Sequence, residues 1–188
     1  MPSKDSGPRA GEEVARFVEA VRQAFAWRRR PGKGDITHCS YDKKYGGQYD
    51  GPCLECVQMA RFFAGKHWSE LTARALKRDG DATALFTVEA YCFLLPAYLI
   101  AAVTEPETLD TALDGLTYHF GPRPDDEWGQ ERLRAILAEL RDEELAVLLR
   151  HFERELAKDF DFDDFCQRSI NGIGGELERR TRQVGGGT

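Results

Sequence analysis

The sequence predicts an all-α domain, an irregular bundle of about seven helices with one long loop that carries cysteine and histidine. Three observations predict it. From Val14 to Leu156 the apolar residues recur at helical spacing in one segment after another, as in helices that each bury one stripe. The breaks between segments, Pro31-Gly32, Gly65, Asp79-Gly80-Asp81, Thr104-Glu105-Pro106 and Gly121-Pro122-Arg123-Pro124, are those of short helix connections. No run reads as a strand.

Val14, Phe17, Val18, Val21 and Phe25, interleaved with Glu12, Glu13, Arg16, Glu19 and Arg22, predict an amphipathic helix over 12–28 that Pro31-Gly32 ends. Residues 31–52 are rich in glycine and tyrosine and predict a long loop, which in a compact domain needs an anchor. A second helix is expected from Pro52 to Ala64, with Cys53 and Cys56 in its first turn, and a short third one from Trp68 through Leu76. Thr87 is placed to cap the apolar helix of Val88 to Ile100, whose Pro96 removes a backbone donor and predicts a kink near Tyr91 or Cys92. Leu94, Leu95 and Leu99 should be its core. Further helices are expected over 107–117 and from about Asp126, the latter forming an antiparallel hairpin with its successor through a turn at Arg141-Asp142-Glu143. The domain is therefore read as residues 12–158, with a disordered start over 1–11 and a weakly structured tail over 159–188, where glycines interrupt the pattern.

The 188 residues suffice for one domain with one substantial core. The formal net charge of −6 argues against nonspecific binding to nucleic acid or an anionic membrane surface and favours a basic protein partner. The longest apolar run, Ala90 to Val103, falls short of the roughly 20 residues a bilayer requires. The amino terminus has no signal-like apolar stretch, so a cytoplasmic location is expected, and there five cysteines suggest thiols or a metal rather than disulfides.

The candidate chemistry lies between Thr37 and Cys56. Cys53 and Cys56 form a Cys-x-x-Cys pair that one ion can reach, and His38 with Cys39 or His67 could complete a tetrahedron, so structural zinc on His38, Cys39, Cys53 and Cys56 is the leading reading. The adjacency of His38 and Cys39 strains that set, because consecutive side chains diverge. The plainer alternative is that the two cysteines are ordinary helix residues beside a solvated His38. A thiol redox pair lacks the strand that precedes such motifs, and a zinc deaminase signature lacks its His-x-Glu half. His67 reads as a packing or capping residue, His119 and His151 as solvated, Cys92 as core, and the run Asp159, Asp161, Asp163, Asp164 as a solvated linker without the glycine and distal Glu of a calcium loop.

The order His38, Cys53-x-Glu55-Cys56, Gly65-Lys66-His67-Trp68 with Leu71, Leu94-Leu95-Pro96-Ala97-Tyr98-Leu99, and then a helix beginning near Gln130 resembles an uncharacterised bacterial family of small proteins, domain of unknown function 6714. The resemblance covers about residues 14 to 157 and implies a self-contained helical domain, with attention drawn to the Cys-Glu-Cys turn. It implies no reaction. The stretch between Cys39 and Cys53 is longer than the family pattern.

The function expected is noncatalytic: an interaction or regulatory module, such as one of immunity type, that meets a basic protein through Asp126, Glu131, Glu139, Asp142, Glu143 and Glu153. The rival expectation is a metal- or thiol-dependent enzyme that acts on a small molecule at the same loop.

Overall fold

The apolar run from Ala90 to Val103 can only be satisfied by a helix with neighbours on every side, and the rest of the chain supplies them. The computed structural model describes residues 8–32, 36–37, 53–80, 83–109, 115, 118–158 and 163–185. These form α1 (Pro8–Phe25), α2 (Leu54–Phe63), α3 (Ala73–Gly80), α4 (Val88–Thr104), α5 (Pro106–Leu109), α6 (Glu127–Glu139), α7 (Asp142–Leu156) and α8 (Asp163–Gly185), with 3-10 turns at Trp68–Glu70 and Thr83–Leu85. The fold is all-α, and the expected number of helices is close. Extended pairing among the described residues is confined to one isolated antiparallel bridge between Thr37 and Phe86.

Thr87 opens α4 as expected, its Oγ1 accepting from the Ala90 amide at 3.1 Å. α1, α3, α5, α6 and the Trp68 turn all pack against α4, which is why it needs no polar face. The helix runs as one element through Pro96. Leu94, Leu95 and Leu99 are at most 2% exposed. Leu95→Ala is expected to cost about 2–5 kcal/mol, read as a shift of the urea midpoint, because the surrounding helices cannot collapse into the space left. An unchanged midpoint would contradict this placement of the core.

α1 begins at Pro8, earlier than its apolar pattern suggests, because proline at a first helical position loses no hydrogen bond and has its φ already set. It ends at Phe25 and not at 28, where Arg28 turns inward. Asp126 caps α6, Oδ1 accepting from the Gly129 amide at 3.0 Å while Oδ2 accepts from the Tyr118 hydroxyl at 2.5 Å. A side chain at Gly129 would press on Pro122, whose Cβ lies 2.7 Å from the position a Cβ would take. α6 and α7 join at Leu140-Arg141, one residue ahead of the expected turn, yet they do not pack as the expected antiparallel hairpin, since α6 lies on α4 and α7 on α1 and α8.

The C-terminal stretch differs most from expectation. It forms the longest helix, 23 residues laid along α7. Cys166, Ser169 and Ile173 are buried, with Ile170 and Leu177 half-buried on the same stripe, so packing outweighs the propensity cost of Gly172, Gly174 and Gly175. Arg180 fixes the far end. Its guanidinium donates to the carbonyls of Leu137 at 2.6 Å and Leu140 at 2.8 Å, and pairs with Glu176 and Asp142.

Candidate functional site

Cys53 and Cys56 occupy different positions of one helix start. Cys53 is the N-cap, half-buried, and its Sγ accepts from the Cys56 amide at 3.4 Å. Cys56, three residues on, is 1% exposed on the inward side that Met59 and Phe63 continue. Glu55 between them points to solvent, where a carboxylate in the first turn complements the helix dipole.

The chain that leads into the loop is tied to this turn. Ile36 accepts from the Thr87 amide at 3.1 Å, Thr37 bridges to Phe86, and the Thr37 hydroxyl donates to the Cys56 carbonyl at 3.3 Å. The residue before His38 and the first turn of α2 therefore meet at one point. His38 and Cys39, with the rest of the loop to Pro52, lie outside the described residues. Among the described residues no three His, Cys, Asp or Glu side chains converge to hold a metal, so His67 does not join the two cysteines. Instead it caps the Trp68 turn, as its sequence context suggested. Nδ1 accepts from the Ser69 amide at 3.3 Å, its own amide donates to Glu70 at 2.8 Å, and its ring stands edge-on to Phe93.

No family model, curated protein or solved structure matches the chain. What the site can do is therefore argued from its own residues.

Two histidines read as solvated are in fact buried. His119 is 2% exposed, its Nε2 lying 3.1 Å from Thr83 Oγ1 and its ring edge-on to Tyr91. Burial, helped by the nearby Arg132 cation, lowers its pKa to about 3. His151 is 1% exposed between Phe17 and Phe152, and burial lowers it to about 4 despite the opposing pull of Glu155. Both are neutral core residues near neutral pH. Arg132 is also buried despite its charge, donating to the carbonyls of Thr83 and Phe86 at 3.2 and 3.0 Å. Arg132 and His151 sit on the inward stripes of their helices, Arg132 with Leu133 and Ile136 and His151 with Leu148 and Phe152, whereas His119 adjoins the buried Phe120. That periodicity was the available signal, overridden by the polarity of the residues themselves.

Sequence reasoning missed a second polar centre. Arg28, just past α1, pairs with Glu144 through Nε at 2.6 Å and Nη2 at 2.8 Å, and Nη2 also donates to the Glu139 carbonyl at 2.9 Å. Burial works against the Arg28 cation, but Glu144 offsets it, with help from Cys92 and Glu139, and its pKa is raised overall. Beneath it burial pushes the Cys92 thiol up to about 12, which makes that cysteine an inert core residue as expected. Trp27, Arg28, Arg29, Glu89, Glu139 and Arg141 line an open cleft of about 430 Å³ above this pair, with the Arg141 guanidinium 3.3 Å over the Trp27 ring. The acids expected to face a partner divide likewise. Asp126, Glu139 and Asp142 are engaged within the molecule, whereas Glu131, Glu143 and Glu153 are exposed.

Proposed function

We propose that this chain is a noncatalytic binding module whose cysteine-rich loop is stapled by zinc, held by Cys53 and Cys56 from the start of α2 and by His38 and Cys39 from the loop. The observation that carries the reading is the hydrogen bond from Thr37 to the Cys56 carbonyl. It ties the residue before His38 to the first turn of α2, where Cys53 and Cys56 stand three residues apart. A binding role is further supported by the work of the described histidines. His67 caps a turn, and His119 and His151 are neutral in the core, so each already has a structural use. In this reading Glu131, Glu143 and Glu153 form the surface that meets a basic partner, more weakly than the full set of six acids would.

The test uses the difference between the two cysteines. Serine is a strong N-cap, so Cys53→Ser preserves the capping hydrogen bond and removes only the soft ligand. Cys56→Ser would put a hydroxyl into the core and is not diagnostic. Protein purified without chelator should carry about one zinc per chain, and both chelation and Cys53→Ser should lower Tm by several degrees, because metal binding at such a site is folding free energy. Metal-free native protein whose Tm is indifferent to chelator would refute the staple. A zinc-loaded protein that turns over a small-molecule ester or amide, and loses that turnover with Cys53→Ser, would refute the noncatalytic reading.

A further inference from the structure

We propose that the cleft over Trp27 is a binding site for a free amino acid with a large apolar side chain. Four elements build it. Trp27 and Arg29 come from the stretch just past α1, Glu89 from the first turn of α4, Glu139 from the end of α6, and Arg141 is the N-cap of α7. The cleft volume of about 430 Å³ falls within the range of small-molecule sites.

The charges that line it are of both signs and largely unjoined. Arg28, at the base, is met by Glu144 and by Oε1 of Glu139, whose side chain stays 44% exposed. Arg29, Glu89 and the Arg141 guanidinium form no ion pair among the described residues, although all three line the same concavity. Three arginines thus stand against Glu89, Glu139 and Glu144, and the centre has no net charge. A ligand of one sign is attracted by one set and repelled by the other, whereas a molecule that carries an ammonium and a carboxylate gains from both. The carboxylate falls to Arg29 and Arg141, the ammonium to Glu89 and Glu139. Arg141 is already positioned for this. Its guanidinium lies 3.3 Å over the Trp27 ring, a contact that uses the face of the cation and leaves its N–H donors for a carboxylate, so less freedom is lost on binding. Trp27 itself remains 38% exposed, and its uncovered surface offers the ligand's side chain an apolar partner.

The site shares no residue with the zinc staple and needs no basic partner, so its failure leaves both readings standing. The probe is L-phenylalanine, followed by saturation-transfer NMR on the full chain at low salt, and a Kd on the order of 1 mM is expected. N-acetyl-L-phenylalanine, which lacks the ammonium, and L-phenylalanine amide, which lacks the carboxylate, should each bind about tenfold more weakly. Glu89→Gln should remove most of the preference over the acetylated compound and spare the preference over the amide. Arg29→Gln should do the converse, and Arg150→Gln, exposed on α7, should change neither. Arg29 and Glu89 are exposed, so both variants should fold as the wild type does by circular dichroism; if one does not, the three compounds on the wild-type chain decide. No binding at about ten times the expected Kd, or equal binding of all three compounds, overturns the site. Tighter binding of either capped compound overturns the proposed occupant, and preferences that survive both variants overturn the assignment to this cleft.

Discussion

Glu144→Ala is expected to destabilise the fold by about 3–5 kcal/mol, a large share of the roughly 5–15 kcal/mol that holds such a domain together. Glu144 is fully buried and answers three donors: Arg28 Nε and Nη2 at 2.6 and 2.8 Å, and the Arg141 amide at 2.8 Å. Its loss leaves the buried Arg28 cation with Glu139 as its remaining carboxylate partner among the described residues, and uncaps the first turn of α7. The penalty comes from stranding a charge and not from the worth of the pair itself. A double change, Arg28→Met with Glu144→Leu, should therefore recover most of the stability that either single change loses. Urea denaturation of the three variants checks this, and a double variant as unstable as the sum of the singles would contradict it.

Acid is expected to weaken the protein well above the pH at which its carboxylates titrate. An unfolded histidine takes up a proton near pH 6.5, whereas in the fold His151 does so only near 4 and His119 near 3. Above about pH 6.5 neither contributes to pH dependence. Below it the unfolded state binds protons that the fold refuses, so stability falls with pH until each folded value is passed. At pH 5 the loss is on the order of 2 kcal/mol for each histidine, or about 4 kcal/mol together. His151→Gln should remove about half of the difference between urea midpoints at pH 7.5 and pH 5. A variant with the wild-type slope would show that the buried rings are not responsible. Glu176, held down to about 2 by its hydrogen bond to Arg179 in spite of partial burial, adds a further loss only below the ordinary carboxylate range.

The parts of the structure legible in the sequence were those where chemistry and periodicity agree. Thr87 and Asp126 stand before apolar repeats and cap them, and Leu94, Leu95 and Leu99 lie in a run that has nowhere to go but inside. Where the two disagreed, residue type misled. His119, His151 and Arg132 follow their helices inward although their polarity argued for solvent. The glycines of α8 hid a stripe of Cys166, Ile170, Ile173 and Leu177 that only the presence of α7 rewards. Long-range partners such as Glu144 for Arg28 have no local signal, because nothing within one helix reports what another will bring to it. At the candidate site the spacing of Cys53 and Cys56 was legible and so was their helix start. That one is cap and the other core follows from their places at the N-cap and three residues later.

The turn between α6 and α7 is gripped by both ends of the chain. Arg28, just past the first helix, and Arg180, from the last, each donate to backbone carbonyls at this corner, on Glu139 and on Leu137 and Leu140 respectively. The Arg28 contact closes a separation of 116 residues to Glu144, so the pair must offset the entropy of a long loop. A grip of this kind is released only when the corner opens, and its strength is expected to appear mainly in the rate at which the native state unfolds.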